Sequence, residues 1–356
     1  MDIVSFLKEL IQLPSLSGRE QQVASRVRDE FESLGYDKIL EDKAGNVCGV
    51  RGSGDFKILY DAHMDVVEPG EGWAGSPYEP VEKDGYLSGR GSVDDKGPLA
   101  SMIYGGAAAD VEGITLYVLA SVNEEVAEGN GLKQFFKETD INPDVVIIGE
   151  PSGLTVAVGN RGRLGLRIDI AGCSAHASDP EAGENALLRA AEIMLKIKDL
   201  NARLDGESVA VTKASTPNEN INIIPEKCSL FLDYRSKPGT EEKDIVEKFK
   251  SLLKEKDNVE SVTPYYKPWI MKDSSPLTWA AVRAQEEIFK RTGTKFWPFC
   301  TNGSYSAGEL KIPTFGFGPG KEGECHTSGE KIKINDLKEA VKYFSALPRF
   351  IKEEYK

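Results

Sequence analysis

Histidine is scarce in this chain: His63, His176 and His326 are the only three among 356 residues. Any imidazole chemistry must therefore run through those positions. Cysteine is nearly as sparse. The five, Cys48, Cys173, Cys228, Cys300 and Cys325, are odd in number and no two have a Cys-x-x-Cys spacing. That argues against a disulfide framework and against a thiolate metal site; they read as reduced thiols of a cytoplasmic protein. A basic surplus is missing too. Lys and Arg number 44 against 57 Asp and Glu, a formal net charge of −13 with the acidic excess spread along the chain. This argues against nucleic acid, which wants a basic patch, and against an anionic membrane surface. No stretch approaches the ~20 apolar residues of a membrane span. Residues 1–13 mix charges into an amphipathic pattern where a signal peptide needs a continuous apolar core. Internal repeats and low-complexity segments are also lacking. What is there is 40% hydrophobic and 28% charged residues, a soluble globular composition, with length for two domains of ordinary size.

The stretch around His63 organises the rest. Ile58 to Asp61 is a short apolar run of the kind that forms a buried strand, and His63 follows with Asp65 two residues on. On an extended chain residues i and i+2 face the same way, and a histidine oriented by a carboxylate is usual in zinc sites. Alone, His-x-Asp decides nothing. Before it, residues 2–13 read as a helix stopped by Pro14. Ser17 and Glu20 have capping-box spacing and open a second helix with Val23, Val27, Phe31 and Leu34 on one face and Gly35 at its end. Residues 39–50 read as two strands turning at Ala44-Gly45-Asn46.

After His63 come a loop over 70–80 holding Trp73 and Tyr78, a turn at Asp84-Gly85, and a glycine-rich stretch over 89–97. A buried helix is expected over 98–109. An apolar strand over 113–122 ends in Asn123-Glu124-Glu125, and another over 143–149 ends in Glu150-Pro151. Strands ending in acids or histidine, with helices between, predict an α/β fold with a mainly parallel central sheet and flanking helices. Such sheets bind ligands at the carboxyl ends of their strands. Past Arg163 the rhythm changes: strand 164–170, helix 185–200, strands 209–214 and 227–235, helix 241–254, strand 259–266. This βαββαβ order predicts an inserted domain over 164–270, one antiparallel sheet covered by two helices. The first pattern resumes over 271–356 with a helix at 277–291, a short strand at 314–318, a glycine-rich turn before Cys325-His326-Thr327, and a closing helix at 337–347 broken or kinked at Pro348. The larger domain, 1–163 and 271–356, is therefore discontinuous.

The expected rim gathers His63, Asp65, Asp94, Glu124, Glu125, Glu150 and His326. Imidazoles and carboxylates without thiolate suit borderline or hard divalent metals, zinc first, with cobalt or manganese possible. One metal does not need so many ligands. Two metals sharing a bridging carboxylate need two histidines and three carboxylates, which leaves a charge of about +1 that a hydroxide neutralises. Read singly, Glu124 and Glu125 could be a solvated pair, Asp95 reads as a solvated neighbour of Asp94, and Arg90 and Lys96 read as structural ion-pair partners of the acidic rim. Arg161 and Arg163 mark the domain junction and could be structural or functional. Trp73 and Tyr78 read as loop packing.

The motifs are His63-x-Asp65, Gly89-Arg90-Gly91-x-x-Asp94-x-Lys96-Gly97, Glu124-Glu125, Gly149-Glu150-Pro151, Gly172 with His176, Asn222-x-Ile224-Pro225, Asp233-x-Arg235 and His326. In this order, over nearly the whole length, they resemble the family of co-catalytic zinc peptidases and deacylases that contains acetylornithine deacetylase, succinyl-diaminopimelate desuccinylase, aminoacylase and carboxypeptidase G. The resemblance implies one metal on His63, Asp94 and Glu150 and a second on Asp94, Glu125 and His326, with Asp94 bridging. It implies Glu124 as general base, Asp65 as the support of His63, and His176 reaching the oxyanion, often from the partner subunit of a dimer. It implies Asn222 and Arg235 on the substrate, with Asn302 in a loop that contacts substrate in relatives. The inserted domain is then expected to act as lid and as the contact of a homodimer. Glu150, rather than Asp, leans toward removing an acyl group from an amino acid, with acetylornithine-type substrates leading. A dipeptidase or carboxypeptidase is the alternative. A metal-binding protein without turnover is the remote one, since such a module needs no base beside its ligands.

Overall fold

The first helix, Ile3–Gln12, starts at Asp2, whose carboxylate accepts the backbone N–H groups of Val4 and Ser5. These are two of the donors that a helix start leaves open. Its apolar spacing buries Ile3, Phe6, Leu7, Leu10 and Ile11. The structure is a computed structural model and describes residues 2–355; Met1 and Lys356 lie outside the described residues. The second helix, Gln21–Ser33, buries Val23, Val27 and Phe31, and Gly35 follows it at φ +74°. Its start departs from the expected capping box. Glu20 stands in helical conformation and its side chain caps nothing, because both Ser17 and Glu20 bond to other segments.

The chain divides into two units. One holds residues up to 160, 270–297 and those from 301 on; the other holds 161–269 with 298–300. In the first unit a mixed sheet runs in the order Lys38–Glu41, Val47–Gly52, Ile114–Ser121, Phe56–His63, Val145–Gly149, Thr314–Phe317, Val156–Asn160. The middle four strands are mutually parallel. They read as near-continuous apolar runs because both faces are covered: Ile58, Leu59 and Tyr60 in one, and Val145 to Ile147 in the next, are essentially inaccessible. Helix Lys96–Ala108, buried almost all round, packs on this sheet. The closing helix runs unbroken from Ile334 to Glu354, through Pro348. Proline removes one helical hydrogen bond, but Leu347, Pro348, Phe350 and Ile351 are all buried, and that packing carries the helix past it.

The second unit is a four-stranded antiparallel sheet, ordered Ser208–Ser215, Lys227–Ser236, Gly162–Ala171, Asn258–Ser261. Strict alternation along Gly162–Ala171 and Lys227–Ser236 puts Leu164, Leu166, Ile168, Leu230, Leu232 and Tyr234 inside. Helices Ala186–Asn201 and Glu242–Lys250 cover that face through Ala190, Ile193, Ile197, Ile245 and Phe249. The second helix stops at Lys250, short of the expected 254. Among the described residues no helix is long and apolar enough to cross a membrane, and all five cysteines are free.

Candidate active site

The parallel strands deliver the site at their carboxyl ends. His63 is the last residue of its strand, Glu150 follows Gly149 directly, and Ser121 is followed by the loop with Asn123, Glu124 and Glu125. Two glycines allow the close approach. At Gly149 a Cβ would lie 2.9 Å from Ala62 and from the Met102 sulfur. At Gly91, with φ +85°, it would lie 2.9 Å from Val66 and 3.0 Å from Lys96. Only a residue without Cβ fits the second position.

Asp94 lies at the centre. Its Oδ1 is 3.0 Å from His63 Nε2 and its Oδ2 is 3.1 Å from His326 Nε2. His326 Nε2 is also 3.2 Å from Glu125, and His63 Nε2 is 3.8 Å from Glu150. Ligand-type atoms of His63, Glu124 and Glu150 lie within 4.8 Å of one another, as do those of His63, Asp94 and Glu125. His63 Nδ1 is 2.9 Å from the Asp65 carbonyl oxygen. A carbonyl only accepts, so Nδ1 carries a proton and Nε2 is the nitrogen that faces the carboxylates. Burial opposes protonation of the ring, but the bonds to Asp65 and Asp94 outweigh it and raise His63 well above the ordinary histidine range.

The electrostatics follow from this crowding. Burial first, and then the charges of neighbouring acids, push the carboxyls of Glu124, Glu125 and Glu150 above their ordinary range. Burial also opposes ionisation of Asp94, but the hydrogen bonds from His326 and His63 outweigh it and hold its carboxyl well below that range. Donating to the carboxylates of Asp94 and Glu125 raises His326 to about 10. Glu124 Oε1 is buried and has no hydrogen-bond partner among the described residues. The ion-pair partners of Asp94, Glu125 and Glu150 are histidines. Buried carboxylates and two imidazoles converging without thiolate suit divalent cations, so the donor set fits the expected pair of metals.

Several neighbours differ from their expected roles. Asp95 is fully buried rather than solvated, and its Oδ2 accepts the His63 N–H at 3.0 Å. Lys96 is fully buried and donates to the Leu10 and Leu13 carbonyls, 2.9 and 2.8 Å away. It holds the end of the first helix and pairs with no acid. Arg90 does form an ion pair, but with Glu330 at 2.6 Å, both side chains inaccessible. Its guanidinium also lies over Trp73. Glu330 in turn accepts the N–H groups of Val93 and Asp94. Sequence reasoning missed Glu330; its one signal is a place four residues after His326. Asp65 lies 3.4 Å from His63 through its carboxylate, yet that carboxylate accepts the backbone N–H groups of Glu124 and Glu125 at 3.0 and 3.1 Å.

Asn302 was expected in a substrate-contacting loop. It is buried instead: its amide donates to Asp61 and Ser121 and its oxygen accepts the Gly129 N–H. These bonds tie Asp61 and Ser121 to the loop at Gly129. In the second unit His176 is exposed, with Nδ1 2.7 Å from the Ser178 hydroxyl. The Ala177 N–H donates to the carbonyl of exposed Asn222, which makes His176 and Asn222 neighbours. Arg235 grips Asp233 through Nε and Nη2 at 2.6 and 3.2 Å, and Arg163 shares that carboxylate.

Comparison with known proteins agrees with this chemistry. The profile of peptidase family M20/M25/M40 matches residues 59–349. The uncharacterized protein YgeY of Escherichia coli (strain K12) is 31% identical over 98% of this chain and 94% of its own. Acetylornithine deacetylase of Proteus mirabilis (strain HI4320) is also 31% identical, over 68% of this chain and 69% of its own. The crystal structure of aminopeptidase PepT from Bacillus cereus ATCC 10987 has the same fold, with a TM-score of 0.80 at 23% identity over 98% of each chain. A mainly parallel sheet whose strand ends converge on two histidines and four acids thus goes with sequence similarity along nearly the whole chain, and the protein is a hydrolase belonging to peptidase family M20/M25/M40.

Proposed function

We propose that this hydrolase cleaves the amide bond of an N-acyl amino acid, with acetylornithine-type substrates first. The observation that carries the reading is Asp94, whose two carboxylate oxygens face two different histidines. That is the arrangement a bridging ligand needs. His63, Asp94 and Glu150 would hold one divalent cation, and Asp94, Glu125 and His326 the other, zinc by donor chemistry with cobalt or manganese as alternatives. Such cations acidify water and polarise a carbonyl. Glu124 is the general base: it takes the proton of the attacking water and returns it to the leaving nitrogen. Its burial raises its proton affinity, the direction this task requires, and its unpartnered Oε1 is an open acceptor.

In the same reading Asn222 and Arg235 bind the substrate. Arg163 and Arg235 share the Asp233 carboxylate, which holds the Arg235 guanidinium, a fork that suits an anionic group. His176 serves the oxyanion from the partner subunit of a homodimer formed by the inserted unit. Glu150 in place of Asp is the feature that favours a deacylase.

The test is a panel of N-acetyl, N-succinyl and N-carbamoyl amino acids and dipeptides against zinc- and cobalt-loaded protein, with a chelator control. Hydrolysis of acyl amino acids that the chelator abolishes is expected. Glu124→Ala should keep its cations and lose about 10²–10⁴ in kcat. Turnover of dipeptides alone would overturn the deacylase reading, and unchanged turnover by Glu124→Ala would remove the base.

A further inference from the structure

The loop that carries Glu124 and Glu125 is held in an unusual way. Three consecutive backbone N–H groups, of Asn123, Glu124 and Glu125, all donate to side-chain carboxylates. The Asn123 N–H goes to Glu20 Oε1 at 3.1 Å, that of Glu124 to Asp65 Oδ1 at 3.0 Å, and that of Glu125 to Asp65 Oδ2 at 3.1 Å. Asp65 Oδ2 also accepts the Ser17 hydroxyl at 2.6 Å. Asn123 sits at φ +61°, a left-handed conformation that a residue other than glycine adopts at a cost and keeps where its surroundings hold it.

Ser17 and Glu20 belong to one short strap, residues 15–20, fastened on both sides. On one side the Val66 N–H donates to the Ser15 carbonyl at 2.9 Å, the Ser15 hydroxyl donates to the Met64 carbonyl at 2.8 Å, and Leu16 bridges Val66. On the other side Glu20, 3% exposed, reaches Asn123. Gly18 turns at φ +81° between Ser17 and Glu20, and a Cβ there would come within 4.0 Å of the Asn123 side chain. The spacing of Ser17 and Glu20 suggests a helix cap, yet neither side chain caps the helix that follows. Glu20 bonds to the loop of the base, and Ser17 bonds to Asp65, which holds that loop.

We infer that Ser17 and Glu20 are positioning residues for catalysis: Glu20 fixes Asn123, Ser17 fixes Asp65, and together they set where Glu124 and Glu125 point. This rests on the reading of Glu124 as the base. A carboxylate accepting a backbone N–H holds a loop more firmly than a neutral acceptor does, and a displacement of about 1 Å at a reacting group costs on the order of 10²-fold in rate. Neither residue touches substrate, so binding should be spared.

The experiment compares Glu20→Ala, Glu20→Gln and Ser17→Ala in the full chain, each loaded with cobalt. Readouts are kcat and KM on whichever substrate the wild type hydrolyses, cobalt equivalents bound, and amide exchange at residues 123–125. Glu20→Ala should lower kcat roughly 10- to 100-fold with KM within about twofold, and should speed exchange at Asn123. Glu20→Gln keeps an acceptor oxygen and should return kcat to within about threefold of wild type. Ser17→Ala should lower kcat less than Glu20→Ala and speed exchange at Glu124 and Glu125. Should Glu20→Ala fail to fold, Ser17→Ala and Glu20→Gln still decide the matter. Equal losses in Glu20→Gln and Glu20→Ala, unchanged kcat in both alanine variants, or unchanged exchange across 123–125 would each overturn the inference. If the wild type hydrolyses nothing in the panel, the reading of function fails separately, and amide exchange together with cobalt affinity still tests the strap.

Discussion

In the second unit the buried carboxylate of Asp257 accepts four hydrogen bonds: two from Arg189, at 3.0 and 2.6 Å, and one each from the N–H groups of Ala171 and Lys254. Burial opposes its ionisation, but these bonds prevail and its carboxyl lies below the ordinary value. Glu207 behaves alike, with Lys248, Thr240 and Tyr234 donating to it. In the first unit Glu124, Glu125, Glu150 and Asp95 lie deeper in the protein, and burial pushes all four up. What faces the acids differs as well. The second unit supplies guanidinium and ammonium groups, and its acids become struts. The first supplies two imidazoles to a larger set of acids, which is complementary to divalent cations. Burial alone therefore does not mark a functional acid; several buried acids converging on imidazoles do.

The sharpest way to break the comparison is to remove a strut. Asp257→Asn leaves Arg189 buried with half its partner, and should cost about 3 kcal/mol by urea unfolding, with cation binding unchanged. The pH dependence follows from the lowered carboxyl. A depressed acid contributes stability above its ordinary value of 3.8, and loses it as pH falls through the folded value. The gap between wild type and Asp257→Asn should therefore hold steady from about pH 7 to about pH 5 and close below 3.8. A gap that widens on acidification would contradict the sign. Next in size is cation loading, which should stabilise the first unit by about 2.7 kcal/mol at a cation concentration 100 times Kd. Amide exchange should slow at residues 59–63 and 123–125 and stay unchanged around Arg189 and Asp257; uniform slowing would erase the distinction. The smallest effect is expected at Asn302. Asn302→Ala leaves the Gly129 N–H without its buried acceptor and takes one of the donors to Asp61, and should cost about 1–2 kcal/mol in stability with KM unchanged. A raised KM at unaltered stability would restore Asn302 to the substrate.

Much of the fold could be read from the chain because the signals were local. The apolar run ending at His63, the strand ending before Glu124 and the one ending before Glu150 each announce a buried strand with a polar tip, and parallel strands bring such tips to one edge. The βαββαβ order past Arg163 likewise predicted one antiparallel sheet covered by two helices. What escaped reading depends on partners distant in sequence. The spacing of Ser17 and Glu20 describes an i,i+3 relation, whereas their actual partners are Asp65 and Asn123. Lys96 beside a run of acids reads as an ion-pair partner, but its nitrogen reaches the carbonyls of the first helix. Asp95 reads as solvated because polarity predicts exposure; the structure buries it beside the His63 N–H, and buries Asn302 against Asp61 and Ser121. Pro348 breaks a helix in isolation, and here the packing of its neighbours prevents it.

The account turns on Asp94 joining two cation positions. Titrating chelator-treated protein with zinc, wild type beside Asp94→Asn, tests it most directly. The wild type should take up two equivalents per chain, and Asp94→Asn should lose affinity at both positions by more than the roughly 10- to 100-fold typical of an outer-shell change. Uptake of a single equivalent by the wild type, or two by Asp94→Asn with unaltered affinity, would contradict it.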